Sequence, residues 1–430
     1  MNKKTRIEIA SVILPEALCL LAAKCSYIAI AWWLLNGKAS PFQFALIIAI
    51  SEFIETFSAP LLAPIVDRYG AAKVVKVSAA ISLVVSLLLA ASYGYASQSV
   101  LFVLLPASIS LMALSSAIRN PAVQTYISQI INPNNITTCI AVRTSTSSLI
   151  TVAGPAIGGV LTWLGGVRTV LILEAILYLI ALILAVYLWR IPVMRTAANI
   201  QATKRSYHSD LFDGILAVGR VRTEFGIGIL SAGINFVVSP FFSIVVPAYV
   251  VIGGTNLNAA HLGIIDSSFG IGIFAGAMFF MPAVTRFLGK FACLFIGYAL
   301  LAVCLISFSS TSNPTWCALA VLVGGIAMPL INTHLSSLRL LATPQEYMGR
   351  MVGGIAGLCT IAIPFGTMAS GAALEVTRPE TVILLQGLLV LGLTPLLFFI
   401  PNLRYLLKQP DASLSNAYYK LYPNAFRTIE

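Results

Sequence analysis

The sequence predicts an all-α integral membrane protein with twelve transmembrane helices in two six-helix pseudo-repeats. The composition is 58% hydrophobic and only 10% charged, and the mean hydropathy is +0.93. A soluble protein of 430 residues needs more polar surface than this composition supplies. Apolar runs of about 20 residues, long enough to cross about 30 Å of hydrocarbon, recur along the chain.

The apolar runs define twelve predicted spans. Gly and Pro occur inside several of them, which is tolerated in membrane helices because neighbouring helices satisfy the freed backbone groups. The spans are therefore predicted to be helices rather than strands. They cover roughly residues 11 to 35, 42 to 66, 74 to 97, 100 to 122, 137 to 163, 166 to 189, 224 to 251, 259 to 284, 291 to 310, 315 to 338, 350 to 374 and 380 to 400.

A long polar segment divides the spans into six and six. The predicted domains are an N-terminal six-helix half at 1–189, a cytoplasmic linker at 190–222, a C-terminal half at 223–400 and a cytoplasmic tail at 401–430. Prolines recur across the linker at nearly constant spacing, which supports an internal repeat, although chance spacing stays open. The pairs are Pro121 with Pro329, Pro133 with Pro344, and Pro155 with Pro364. For the tail, disorder and docking on the inner face both remain open.

Lys and Arg are distributed unevenly between the two sides of the predicted helices. With the N-terminus inside, twenty-one of them, Arg119 included, fall on the inner side, and only Lys38, Arg168 and Arg378 fall outside. This positive-inside pattern predicts a multi-pass protein of a bacterial-type cytoplasmic (inner) membrane with both termini cytoplasmic. The net charge of +11 follows from this topology and from anionic lipid headgroups, so no nucleic acid partner is expected.

The sequence contains no motif that is typical of a soluble enzyme. There is no Gly-rich phosphate loop for direct use of ATP. The three His and seven Cys residues lack the spacing of a metal site or a disulfide framework, so no metal and no cofactor is expected. The protein is predicted to be a non-enzymatic monomer in a lipid bilayer, driven by an ion gradient, with a proton gradient suspected.

A short charged turn follows the second span. Asp67, Arg68 and Gly70 are followed by Lys73. Asp67 can sit at the N-terminus of a helix of the neighbouring half and pair with a cation, forming an inner latch. The same turn can instead be a simple positive-inside anchor with a turn glycine, and both interpretations remain open.

A glycine and proline motif lies in the fifth span. Gly154, Gly158 and Gly159 allow close helix contact, and Pro155 removes a backbone donor and bends the helix. A bent, close-packed helix suits a seal in a transporter. Small-residue packing in any polytopic membrane protein is the alternative.

These motifs resemble those of the major facilitator superfamily. The charged turn resembles its G-x-x-x-D-R-x-G-R-R loop, and the fifth-span motif resembles the G-P-x-x-G-G signature of its drug:proton antiporters. A further set of residues resembles the macrolide-efflux and enterobactin-exporter branch: Pro329, Asn332, Pro344, Gly349, Arg350, Met351, Pro364, Phe365 and Gly366.

The resemblance implies a secondary active transporter that works by alternating access of two halves around a midplane site. Proton-coupled efflux of a small amphipathic compound, such as a drug, a siderophore or a similar metabolite, is the expected function. An importer or facilitator of a nutrient or metal chelate is the alternative. An intramembrane enzyme or a lipid-handling protein is a third possibility, disfavoured because no nucleophile or metal accompanies the acids.

Ionisable residues inside spans are costly and therefore indicate function. Lys24 lies near the middle of the first span, and Glu52 and Glu55 lie at matching depth in the second. The two acids are three residues apart on one helix face. This cluster is predicted to couple protons or bind substrate, and a purely structural buried ion pair is the alternative.

Four more polar residues are weaker candidates for the proton-coupling or substrate-binding site. Glu174 and Asp266 are predicted about a third of the way in from the outer face, where either can line a vestibule or be paired locally. Arg143 opens the fifth span and is expected to pair with an acid or a headgroup. Asn332 in the tenth span is a candidate substrate contact, or else makes an interhelical hydrogen bond.

Overall fold

The computed structural model describes residues 3–36, 39–93, 95, 98–131, 135–188, 218–253, 257–410 and 413–426. Within these residues every regular element is a helix. Most of the predicted linker, residues 189–217, lies outside the described residues. The chain forms two compact units, one of residues 1–200 with 246–267 and one of 201–245 with 268–430.

The first unit is built mainly from five long helices. They are α1 (Lys3–Leu35), α2 (Pro41–Tyr69), α3 (Ala71–Ser92), α4 (Gln98–Ile130) and α5 (Ile136–Leu188). At about 1.5 Å per residue, the 53 residues of α5 reach about 80 Å, more than twice the hydrocarbon thickness. Gly166 breaks α5 with φ 76° and ψ 172°, so this element holds two spans.

The two halves of α5, which meet at Gly166, both pack against α1. In the first half, Gly154 and Gly158 meet Lys24 and Cys25. In the second half, Glu174 accepts a hydrogen bond from Ser26, while Leu177, Tyr178 and Ala181 form an apolar cluster with Cys19 and Ala22 of α1. The first half of α5 therefore runs parallel to α1 and the second half antiparallel to it, as expected when both arms of a helix hairpin pack against α1.

Of the remaining six spans, the seventh and eighth are each interrupted by a π-helical segment. The bounds are α6 (Arg222–Pro240), α7 (Val246–Ile252), α8 (Ala259–Ala275), α9 (Met281–Leu288), α10 (Lys290–Ser309), α11 (Pro314–Ala342), α12 (Met348–Thr360), α13 (Ala362–Val376) and α14 (Pro379–Leu393), with a 3₁₀ turn at Thr394–Phe399. Eleven helices of the described chain are long and apolar enough to cross a membrane. Because one of them is the doubled α5, twelve spans result, and the predicted fold class is confirmed.

Two π-helical segments interrupt the seventh and eighth spans. Phe241–Val245 separates α6 from α7, and Gly276–Phe280 separates α8 from α9. A proline cannot donate to the carbonyl four residues earlier and its ring crowds that carbonyl. For Pro247 and Pro282 that carbonyl lies inside the π segment in each case, so the widened turn accommodates the proline.

The C-terminal segment is ordered against the second unit through α15 (Leu403–Lys408) and α16 (Ala417–Leu421). The Tyr418 hydroxyl donates to Glu224 Oε1 at 2.8 Å, and Arg339 Nε donates to Glu224 Oε2 at 3.0 Å. Glu224 is fully buried, so these two partners compensate its carboxylate. Of the two possibilities left open for the tail, docking is the one observed for residues 413–426.

More hydrogen bonds anchor the same segment. The Tyr347 hydroxyl donates to the Phe426 carbonyl at 2.6 Å, and Thr223 Oγ1 donates to the Pro401 carbonyl at 2.7 Å. Burial, and secondarily the Glu224 carboxylate, raises the pKa of the Tyr418 hydroxyl well above its ordinary value. The hydroxyl therefore remains a donor throughout the physiological pH range.

Replacing Tyr418 with Phe removes one of the two donors to Glu224. Since a buried acceptor left unsatisfied costs about 1–3 kcal/mol, the apparent unfolding temperature of the purified protein is expected to fall. Tyr419→Phe is the matched control because the Tyr419 side chain is exposed. Equal unfolding temperatures for the two variants would show that the tail contact carries no stability.

Candidate functional site

The fifth-span motif is a close contact between α5 and α1. A Cβ atom added at Gly154 would lie 2.5 Å from Lys24 Cβ, and one at Gly158 would overlap the Cys25 carbonyl oxygen. The Cys25 thiol donates to the Gly154 carbonyl oxygen at 3.3 Å. Because no side chain separates the two backbones, the motif fixes the position of Lys24.

The third glycine of the motif makes a contact with α8 within the first unit. A Cβ atom at Gly159 would lie 2.5 Å from the Ala259 carbonyl oxygen and 3.0 Å from Gly263 Cα. Gly263 in turn faces the Pro155 carbonyl oxygen so closely that a Cβ atom would overlap it. The motif therefore brings α1 and the first half of α8 onto the same span, and Asp266 follows Gly263 by one helical turn.

Lys24 interacts electrostatically with acids from two other helices. The Lys24 ammonium acts on the carboxylates of Glu55 in α2 and Asp266 in α8. The Tyr27 hydroxyl, one turn along α1, is within electrostatic range of Asp266 and Glu52. Four of the predicted residues, Lys24, Glu52, Glu55 and Asp266, thus lie within electrostatic range of one another or of Tyr27.

Arg119 is a second cation at this cluster, and the site candidates chosen from the sequence did not include it. It lies inside α4 with 8% of its surface exposed, and its charge acts on Glu55. Its Nη1 atom has no hydrogen-bond partner among the described residues. The signal was available, because the predicted fourth span already contained an arginine and buried arginines mark functional sites.

Glu174 is fully buried between α5 and α1. The Ser26 hydroxyl donates to Glu174 Oε1 at 2.8 Å. The second oxygen, Oε2, has no hydrogen-bond partner among the described residues. Glu174 therefore does not line an open vestibule in this structure; it is a buried carboxyl group with a single neutral donor.

Arg143 forms a two-pronged ion pair with Glu16. Its Nε atom donates to Glu16 Oε2 at 2.7 Å, and its Nη2 atom donates to Glu16 Oε1. The same Nη2 atom donates to Asn120 Oδ1 at 3.2 Å. This geometry satisfies the charge of Arg143 locally and links the beginning of α5 to α1 and α4.

The charged turn between α2 and α3 is organised by Gly70. Gly70 is the single residue between α2 and α3, and its φ of 85° and ψ of 137° are a conformation that favours glycine. The side chain of Asp67 lies outside the described residues. Arg68 and Lys73 each place their cationic group 5.7 Å from the Tyr69 ring centroid.

The predicted residue Asn332 lies in α11 of the second unit. It is exposed, and its side-chain nitrogen donates to the Met328 sulfur, at 3.8 Å, within the same helix. The neighbouring His334 pairs through Nε2 with Thr285 Oγ1 at 2.7 Å. Among the described residues, no group of three or more His, Cys, Asp or Glu side chains is placed to hold a metal ion.

A family model described as the Major Facilitator Superfamily matches residues 16–367. The chain belongs to this superfamily. A comparison with curated protein sequences gave no significant match. The match is to the superfamily as a whole, so the resemblance to the macrolide-efflux and enterobactin-exporter branch stays a prediction.

Solved structures of superfamily transporters share the fold at low sequence identity. The nucleoside transporter NupG is 15% identical with a TM-score of 0.69, covering 93% of this chain and 99% of its own. The peptide transporter POT in complex with sulfate is 14% identical with a TM-score of 0.69, covering 94% and 96%. A bacterial homologue of the iron transporter ferroportin, in an inward-facing state, is 16% identical with a TM-score of 0.67, covering 93% and 99%.

In this superfamily member, adding one methyl group at Gly158 is expected to disturb the candidate site. The Cβ atom of Gly158→Ala must push α1 away from α5, at a cost of about 1–3 kcal/mol, and Lys24 moves with α1. The apparent unfolding temperature is the measurement. Gly357→Ala is the control, because a Cβ atom there meets nothing within 4 Å. Equal stability of both variants would contradict the close-contact role.

Proposed function

We propose that the protein is a proton-coupled secondary active transporter that exports a small amphipathic compound by alternating access. The observation that carries the proposal is the charge cluster around Lys24 in the first unit. The resemblance of the fifth-span motif to the signature of drug:proton antiporters supports export, and the close contact of that motif with Lys24 and Cys25 places it beside the cluster.

The charge balance of the cluster favours binding of a proton. Lys24 and Arg119 supply two positive charges, and Glu52, Glu55 and Asp266 supply three negative ones when all are ionised. One bound proton therefore neutralises the cluster. A movement that brings Lys24 closer to one acid releases this proton, and so does the binding of a cationic substrate. This link between the proton and the substrate is the coupling that an exchanger requires.

Glu174 has the environment of a second proton carrier. An ionised carboxylate with only the Ser26 hydroxyl as a partner would be a buried charge without compensation. A proton on Oε2 removes this charge while Oε1 still accepts from Ser26. Glu174 and the Lys24 cluster are joined through α1, because Ser26 and Lys24 are two residues apart.

An importer or facilitator is the second candidate. Transporters of nucleosides and of peptides, both nutrient classes, share this fold. An exporter and a proton-coupled importer differ in the direction of the proton gradient that drives substrate uptake, whereas a facilitator needs no proton gradient.

The coupling proposal is tested in proteoliposomes that contain a pH-sensitive dye. The probes are a nucleoside, a dipeptide, a macrolide and a catecholate siderophore. At least one of them is expected to evoke a proton flux that Glu55→Gln abolishes, because the amide cannot carry a proton. Glu380→Gln, at the beginning of α14, is the matched control and should behave as the unchanged protein.

The direction of coupling follows from the same vesicles. Uptake driven by an acidic lumen indicates antiport, whereas uptake driven by an acidic exterior indicates symport and favours the importer. A normal proton flux in Glu55→Gln would remove Glu55 from the mechanism, and no proton flux with any transported probe would rule out proton coupling.

Glu174→Gln separates proton carriage from structure. The amide oxygen still accepts from Ser26, so the unfolding temperature should be unchanged. The transport rate, measured between about pH 5.5 and 8.5, should depend on pH less steeply than that of the unchanged protein, because the Lys24 cluster still binds a proton. Ser26→Ala is the control: it removes the hydrogen bond but leaves a carboxyl group that titrates. A pH profile in Glu174→Gln identical to that of the unchanged protein would exclude this role.

A further inference from the structure

A groove of about 360 Å³ opens between three helices of the first unit. Its walls come from α2, α3 and α4. Several wall residues are exposed, among them Val77 at 49% and Leu111 at 41%, so the groove opens on the apolar surface that meets the lipid chains. The lining residues are Leu62, Ile65, Tyr69, Lys73, Val74, Val77, Ser78, Ile81, Leu111, Leu114, Ser115 and Ile118.

The serine hydroxyls in the groove are already engaged. Ser78 Oγ donates to the Val75 carbonyl at 2.9 Å, and Ser115 Oγ donates to the Ser78 carbonyl at 2.7 Å. The neighbouring Ser82 hydroxyl lies 3.2 Å from Ser115 Oγ. These bonds leave aliphatic surface along the body of the groove, which matches hydrocarbon rather than a polar solute.

One end of the groove is positively charged. Tyr69 and Lys73 line this end, and Arg68 stands over the Tyr69 ring. In the sequence, residues 67–73 contain two basic residues and one acidic residue, a net charge of +1. A cationic end on an aliphatic groove complements a molecule with an anionic head and a hydrocarbon chain.

We propose that this groove binds an anionic phospholipid, with one acyl chain along α3 and α4 and the headgroup phosphate at Lys73 and Arg68. The site is separate from the Lys24 cluster and does not depend on the transport function. The bound lipid touches the α2–α3 turn at Tyr69, so the lipid composition of the membrane acts on the segment that Gly70 organises.

Lipid binding is measured by native mass spectrometry of the full chain in detergent. The probes are dioleoyl phosphatidylglycerol and dioleoyl phosphatidylcholine, which share their acyl chains. The unchanged protein is expected to bind one phosphatidylglycerol more tightly than phosphatidylcholine. Lys73→Gln should reduce this preference about fivefold, whereas Lys76→Gln, which removes the same charge outside the groove lining, should retain it.

Filling the groove tests the acyl-chain half of the site. Val77→Trp should weaken phosphatidylglycerol binding about tenfold or more because the indole occupies the groove. Val84→Trp is the control, since Val84 lies two turns further on the same face of α3, is 56% exposed and does not line the groove. Leu111→Trp, on the opposite wall, repeats the test if Val77→Trp does not fold.

Three outcomes would overturn the proposal. They are equal affinity of the unchanged protein for the two lipids, unchanged phosphatidylglycerol binding in the folded tryptophan variants of the groove, and displacement of the lipid by soluble glycerol 3-phosphate. The last result would assign the cationic end to a free phosphate compound instead of a lipid.

Discussion

The contact between α1 and α5 is the interaction on which the first unit depends. The links between these helices include the Glu16–Arg143 ion pair, the glycine contacts at Lys24 and Cys25, and the Ser26–Glu174 hydrogen bond. The glycine contacts matter most, because only glycine allows the backbones to approach this closely. Each functional candidate on α1 is placed by this contact.

The charged side chains of the first unit differ in how completely their partners satisfy them. Arg143 and Glu16 neutralise each other with good geometry, which makes the pair structural. Around Lys24, by contrast, charges from four helices share partners, and Glu174 has only one neutral donor among the described residues. A buried polar atom without a hydrogen bond, such as Glu174 Oε2 among the described residues, is costly in a membrane, which is why the proposed transport role includes this residue.

Hydropathy predicted the fold well because every span must satisfy its own backbone in lipid. The helix bounds agree closely with the predicted runs, as for α10 at Lys290–Ser309. The site was harder to predict. Depth in the span suggested Lys24 beside Glu55, but the proximity of Asp266 depends on the glycine contact at Gly263, which no spacing in the sequence reveals. Arg119 was not among the site candidates because a count of basic residues treats an arginine near a span end as solvated.

The contact between Tyr418 and Glu224 joins residues 194 positions apart, and so sets an order of assembly. A chain is synthesised from its N-terminus, so α6 enters the membrane long before Tyr418 exists. Until residue 418 has been made, the Glu224 carboxylate can accept hydrogen bonds from water or from Arg339, but not from Tyr418. The second unit therefore completes its folding only after its last helices have been translated, and a ribosome stalled before residue 418 would hold a unit with a partly unpaired carboxylate.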